Sequence, residues 1–101
     1  MKILLLGKNG QVGWELQRSL APLGELIALG SDSKDPCGDL SDLDGLARTI
    51  RSIAPDVIVN AAAHTAVDKA ESEPERVRTI NALAPGVLAQ EARRAQAWLV
   101  H

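Results

Sequence analysis

Aromatic residues are scarce in this chain of 101 residues, which has two tryptophans and neither phenylalanine nor tyrosine. These residues alone therefore cannot complete a reaction that relies on tyrosine as its proton donor. Cysteine is nearly missing too, because Cys37 is the only one. A single thiol excludes an intramolecular disulfide and any multi-thiolate zinc or iron–sulfur site. It suits a reducing compartment, so we expect a cytoplasmic protein.

The chain also lacks an excess of charge of either sign. It carries 11 Lys and Arg against 13 Asp and Glu, a formal net charge of −2. A near-neutral chain without a basic stripe has no electrostatic means of holding a phosphate backbone, so we expect no nucleic-acid partner. The apolar run at residues 3–6 is far too short for a membrane span or a signal segment, and we expect no membrane association.

Short apolar runs alternate with amphipathic segments along the chain. The runs predict strands at residues 2–6, 26–29, 56–60 and 97–100. Helices are predicted from residue 11 to about 22, from a capping box of Ser41 and Asp44 to Pro55, and from Pro74 onward with a bend or restart caused by Pro85 near Asn81. The first helix would bury a face of Val12, Leu16, Leu20 and Leu23.

Four strands and three helices in alternation predict an α/β fold, the N-terminal half of a Rossmann-type doubly wound parallel sheet. The chain ends on His101, at the carboxyl tip of the fourth predicted strand. We therefore expect residues 1–101 to be an incomplete domain of a larger protein.

The most specific motif is a G-x-x-G-x-x-G string between the first strand and the first helix, formed by Gly7, Gly10 and Gly13. Gly7 would allow a sharp turn, Gly10 the close approach of a pyrophosphate, and Gly13 tight packing of helix on sheet. The amides of Gly10, Gln11 and Val12 would face the anion at a helix N-terminus. The alternative is a glycine turn without a ligand. A triphosphatase loop is excluded because no Gly-Lys-Ser/Thr follows.

The end of the second strand bears on the choice between NAD and NADP. An acid there favours NAD, but this chain has Gly30. Asp32 lies two residues on and can partly substitute for that acid, while Lys8 and Lys34 are basic groups able to meet a ribose phosphate. This mixture predicts relaxed specificity, tilted towards NADP.

Two further segments are candidates for the same cofactor. Asp39 and Leu40 follow the second strand, where a carboxylate can accept from the adenine amino group and an apolar side chain can cover the ring. Asp39 can equally serve to cap the next helix beside Ser41. After the third strand, the small residues Ala61, Ala62 and Ala63 leave room for a flat ribose and nicotinamide. A tight turn without function is the alternative there.

These residues together resemble a known family. The glycine string, Asp39-Leu40, and above all the run Ala63-x-Thr65-Ala-Val67-Asp68-x-Ala-Glu71 are similar to the N-terminal part of the extended short-chain dehydrogenases/reductases. Within them, the run resembles reductases of dTDP-linked 4-keto-6-deoxy sugars, whose product serves cell-surface polysaccharide synthesis. The resemblance covers all 101 residues. It implies that residues 1–101 are an incomplete NAD(P)-binding Rossmann domain, and that the rest of the cofactor domain and a substrate domain would lie outside this chain. It implies an NADPH- or NADH-dependent oxidoreductase that acts on such a sugar.

The resemblance also implies roles for individual residues. The pyrophosphate would lie on Gly10, Gln11 and Val12, and the adenine on Asp39 and Leu40. Ala63, His64 and Thr65 would line the ribose and nicotinamide, and Thr65 and Val67 would approach the sugar. The full set of implied cofactor residues is Gly7, Gly10, Gln11, Val12, Gly13, Asp39, Leu40, Ala61, Ala62, Ala63, His64 and Thr65.

The chain departs from the family in three ways. Gly30 replaces a frequent acid, His64 replaces a frequent aromatic residue, and the family's catalytic Ser/Thr and Tyr-x-x-x-Lys pair are not in the chain. We therefore expect these residues to bind cofactor without turnover. Some relatives use Mg²⁺ at an oligomer contact, which makes Glu15 a candidate ligand of that ion. We also expect the parent enzyme to form a homodimer. An epimerase or dehydratase relative and a non-catalytic dinucleotide sensor are the alternative functions.

Overall fold

The computed structural model describes residues 1–9, 11–30, 32–33, 36–61 and 83–100. Over these residues the chain forms one parallel sheet in the order β2-β1-β3-β4. The strands are β1 (Lys2–Leu6), β2 (Glu25–Leu29), β3 (Val57–Asn60) and β4 (Trp98–Val100), and the helices are α1 (Gln11–Leu20), α2 (Leu43–Ile53) and α3 (Ala84–Ala95). The predicted Rossmann-type α/β fold of four strands and three helices is thus confirmed for the described residues.

The central strand β1 is buried on both faces, as its unbroken apolar run predicts. Leu4 and Leu6 pack with side chains of α2 and α3, whereas Ile3 and Leu5 pack towards α1. Successive side chains of a strand point to opposite faces, so this one strand supplies both halves of the core. The helices therefore cover the sheet from two sides.

The predicted apolar face of α1 is only partly correct. Leu16 and Leu20 pack on the sheet, but Val12 is 42% exposed and Leu23 is 58% exposed. The helix ends at Leu20, and the 3₁₀ turn Ala21–Leu23 carries Leu23 off the buried face. Val12 lies in the first turn of α1, at the carboxyl edge of the sheet.

The cap of α2 is Asp42, so the predicted capping box of Ser41 and Asp44 is wrong. Asp42 accepts a hydrogen bond from the amide of Gly45 at 3.0 Å. Ser41 instead turns back and donates to Asp39. The helix ends at Ile53, and its C-cap residue Ala54 adopts the left-handed conformation at φ 51° just before the buried Pro55.

The third helix begins at Ala84, with Pro85 in its first turn. Proline suits this position because the first amides of a helix have no intrahelical acceptor. The predicted helix start at Pro74 and the restart near Asn81 lie outside the described residues. Among the described helices, none has the length and apolar character needed to cross a membrane.

Candidate cofactor site

The loop that leaves β1 is tied to the end of β2. The amides of Gly7 and Lys8 both donate to the carbonyl oxygen of Leu29, at 2.9 and 3.1 Å. Gly7 has φ of 85°, a conformation that favours glycine. The sharp turn predicted at Gly7 is therefore confirmed.

Helix α1 lies directly against this turn. A Cβ at Gly13 would fall on the carbonyl oxygen of Gly7 and within 3.0 Å of the Lys8 Cα. The side chain of Gln17, one turn further along, donates to the Lys8 carbonyl at 3.1 Å. The close packing predicted for Gly13 is thus confirmed, and the carbonyl after the turn is held by α1 itself.

The N-terminus of α1 supplies the groups that an anion needs. The helix begins at Gln11, so the amides of Gln11, Val12 and Gly13 lie in its first turn and have no intrahelical acceptor. Helix dipoles favour negative charge at this end. Gly10 lies outside the described residues, and its contact with a pyrophosphate stays a prediction.

The carboxyl ends of β1 and β3 lie side by side next to this loop. Leu6 is paired with Asn60, and the amide of Ala61 donates to the Leu6 carbonyl at 2.9 Å. The chain leaves β1 for β2 on one side and leaves β3 for β4 on the other, which makes this the switch point of the sheet. Ligands of doubly wound sheets bind in the crevice at this point.

The structure brings Ala61 to this crevice, buried at the end of β3. The other residues predicted on that loop, Ala62, Ala63, His64, Thr65 and Val67, lie outside the described part of the chain. Their roles towards the nicotinamide and the sugar stay predictions.

Asp39 and Leu40 have structural partners. One carboxylate oxygen of Asp39 accepts from the Ser41 amide at 2.9 Å and from the Ser41 hydroxyl at 2.6 Å. Leu40 is 3% exposed and packs in the core beside Leu29 and Leu46. Its side chain therefore has little surface left to cover an adenine ring.

The loop after β2 folds back on Gly30. The Gly30 amide donates to the Ser33 hydroxyl and the Ser33 amide donates to the Gly30 carbonyl, both at 3.0 Å. Asn9, in the glycine loop, donates from its side-chain amide to Asp32 at 3.3 Å. Sequence reasoning missed Asn9, because its partner is 23 residues away and no periodic pattern joins them.

The perturbed titrating groups in the described chain lie far from this crevice. Arg51 of α2 forms two hydrogen bonds of 2.9 Å to the buried carboxylate of Glu91 in α3. These bonds lower the pKa of Glu91 and raise the pKa of Arg51. Arg51 lies in the last turn of α2, at the amino edge of the sheet, so the pair joins two helices and has no part in the cofactor crevice.

Metal ligands are not grouped in the part of the chain that the structure describes. No cluster of three or more His, Cys, Asp or Glu side chains occurs there. Glu15 lies exposed on α1. One carboxylate does not make a magnesium site, so no role for Mg²⁺ follows from these residues.

Comparison with known proteins shows the family. The sequence-family model described as the RmlD substrate binding domain matches residues 1–101. The chain belongs to the RmlD family. It is 62% identical to the dTDP-4-dehydrorhamnose reductase of Escherichia coli K12, over 100% of this chain and 34% of that protein. The chain thus spans about a third of the length of the curated relatives that it matches.

Solved structures of RmlD relatives have the same fold. A hypothetical dTDP-4-dehydrorhamnose reductase from Sulfolobus tokodaii superposes with a TM-score of 0.84 and 38% identity, over 100% of this chain and 38% of that one. The dTDP-4-dehydrorhamnose reductase of Bacillus anthracis, solved in complex with NADP, superposes with a TM-score of 0.80 and 28% identity, over 99% of this chain and 35% of that one. The Bacillus anthracis relative therefore binds NADP.

Proposed function

We propose that the protein carrying this chain is a dTDP-4-dehydrorhamnose reductase, which converts dTDP-4-dehydro-L-rhamnose to dTDP-L-rhamnose with NADPH or NADH. The observation that carries this proposal is the 62% identity over all 101 residues with a relative of that name. The reaction would supply a sugar for cell-surface polysaccharide. We place it in the cytoplasm and expect a homodimer.

Within this protein, the chain would hold the cofactor. The pyrophosphate would accept hydrogen bonds from the first-turn amides of α1, at Gln11 and Val12, with Gly10 allowing its approach. Gly7 and Gly13 would act indirectly, because they set the turn and the position of α1 against it. The NADP complex of the Bacillus anthracis relative supports a dinucleotide at this place.

The adenine would lie beside Asp39 and Leu40, at the carboxyl edge of the sheet. Asp39 is the better candidate for a side-chain contact, because Leu40 is packed in the core. We propose that Leu40 contacts the ring through its backbone. The hydrogen bonds from Ser41 would keep the Asp39 carboxylate in position.

The loop after β3 would form the nicotinamide side of the crevice. Ala61, Ala62 and Ala63 would leave room for the ribose, and His64 and Thr65 would form the wall. When bound, the reduced nicotinamide supplies a hydride to the C4 carbonyl of the sugar. Thr65 and Val67 would face that sugar. The resemblance implies a tyrosine as the proton donor, and this chain has none. We propose that the donor belongs to another part of the protein.

The decisive assay measures the loss of NADPH absorbance with dTDP-4-dehydro-L-rhamnose. We expect turnover by the full-length protein and none by residues 1–101 alone, which we expect to bind cofactor weakly. No turnover by the full-length protein would refute the assignment of this sugar as its substrate. Turnover by residues 1–101 would show that the catalytic groups have been misplaced.

A glycine substitution tests the pyrophosphate site separately. Gly10→Val should abolish cofactor binding, because a branched side chain would enter the path of the pyrophosphate. The matched control is Gly86→Val in α3, where a Cβ has no heavy atom of the described residues within 4 Å. Calorimetry with NADPH and NADH measures both variants, and unchanged affinity in Gly10→Val would refute the assignment.

A further inference from the structure

Gly30 occupies the position from which this fold reads the adenosine ribose, immediately after β2. The space that a side chain would need there is already filled. A Cβ built at Gly30 would lie 2.5 Å from the amide nitrogen of Asn9 and 2.8 Å from a carboxylate oxygen of Asp32. Two polar groups from other positions therefore stand where the side chain of residue 30 would begin.

Asn9 and Asp32 also bind each other, at 3.3 Å from Nδ2 to Oδ1. Asn9 belongs to the loop between β1 and α1, and Asp32 belongs to the loop after β2. The hydrogen bond therefore spans the two loops that border the adenosine end of the crevice. The paired hydrogen bonds between Gly30 and Ser33 close the second loop directly beside Asp32.

The hydrogen bond fixes the position of the carboxylate without cancelling its charge, because an amide donor is neutral. Asp32 is exposed, so the carboxylate can be reached by a ligand in the crevice. A carboxylate at this place accepts hydrogen bonds from ribose hydroxyls and repels a 2′-phosphate.

We infer that Asp32, positioned by Asn9, is the residue of this chain that discriminates between a ribose 2′-hydroxyl and a 2′-phosphate. The inference rests on the proposed cofactor binding, and it names which side chain replaces the missing acid at Gly30. Asp32 contacts the ribose, and Asn9 acts through Asp32 as a positioning residue.

The test is calorimetric titration of the full-length protein with NADH and with NADPH. Asp32→Asn should shift the ratio of the two dissociation constants by about tenfold in favour of NADPH, since one carboxylate no longer faces the phosphate. Asn9→Ala should shift the ratio in the same direction by less, because the carboxylate keeps its charge and loses its support. Both side chains are exposed, and thermal melts check that the variants stay folded.

The matched control is Asp44→Asn, which removes one exposed carboxylate in the first turn of α2 and should leave the ratio unchanged. An unchanged ratio in Asp32→Asn, with both cofactors still binding, would overturn the inference and leave the proposed function standing. A shift of equal size in the control would overturn it too, since net charge would then explain the effect. Failure of the unmodified protein to bind either cofactor would overturn the proposed function itself, and this inference with it.

Discussion

At the scale of single residues, Gly13 determines how closely α1 approaches the loop after β1. Its missing Cβ leaves room for the carbonyl oxygen of Gly7, a backbone atom that cannot move aside as a flexible side chain would. Gly13→Ala should therefore destabilise the chain by about 1–3 kcal/mol, the usual cost of overpacking, and weaken cofactor binding because the first turn of α1 moves. Urea unfolding and calorimetry measure the two effects.

The control for this substitution is Gly86→Ala. It should raise stability by about 0.5 kcal/mol, because alanine suits a helix better than glycine and its Cβ would meet no atom within 4 Å in the part of the chain that the structure describes. Equal stability changes in the two variants would mean that packing at Gly13 is not what the structure indicates.

Asp42 is the N-cap residue of α2. Asp42→Ala should cost about 1 kcal/mol of unfolding free energy, a typical value for a lost N-cap, because the Gly45 amide loses its acceptor. Urea denaturation measures this loss. A larger effect from Ser41→Ala than from Asp42→Ala would restore the predicted capping box.

The glycine roles were predictable from the sequence, whereas the polar contacts were not. Gly7 and Gly13 are recognisable because a turn between strand and helix requires residues without side chains. The contact of Asn9 with Asp32, and the choice of Asp42 over Ser41 as cap, depend on loop conformations that no local pattern specifies.

At the scale of elements, apolar runs placed every described strand within about a residue of its observed ends, because a strand buried on both faces needs an unbroken run. Helical faces were harder. The helical spacing of apolar residues, four, four and then three, continues through Leu23, although the helix ends at Leu20, so periodicity alone carried the predicted buried face past the end of the helix.

Helices α2 and α3 are joined by the ion pair of Arg51 and Glu91, which makes their packing sensitive to acid. The pKa of Glu91 is lowered in the folded state by the hydrogen bonds from Arg51. Its contribution to stability is therefore present above the unfolded pKa and is lost as the pH falls through the lowered folded value. The loss should begin below about pH 5, where an unpaired glutamate starts to bind protons.

Glu91→Gln tests this dependence. The variant should be less stable than the unmodified chain at neutral pH, and the difference should shrink as the pH falls. Arg51→Lys is the companion variant, because it keeps the positive charge and loses the two-pronged hydrogen bond. Urea midpoints between pH 7 and acid measure the effect, and parallel curves for Glu91→Gln and the unmodified chain would contradict it.

At the scale of the whole molecule, β4 is one of the two edge strands of the sheet among the described residues, and its Trp98 is 79% exposed. Unpaired edge strands with apolar side chains pair with other chains. A polypeptide of residues 1–101 alone should therefore associate with itself as its concentration rises. Trp98→Lys should reduce the association, because a charge on an edge strand opposes pairing.

Sedimentation velocity over a concentration series measures this association. The matched control is Trp14→Lys on α1, where the tryptophan is 55% exposed and lies under Arg18. It should leave the association unchanged. A polypeptide that stays monomeric at every concentration would refute the prediction.

The central place of β1 has a consequence for synthesis on the ribosome. β1 emerges before the other described strands, and one of its partners, β3, begins 54 residues after Ile3, at Val57. At a translation rate of about 5–20 residues per second, that partner follows after about 3–11 s. During this interval β1 has the backbone hydrogen-bonding groups along one of its two edges unpaired. Slower translation before Val57 should therefore lengthen the time in which a chaperone can capture the chain.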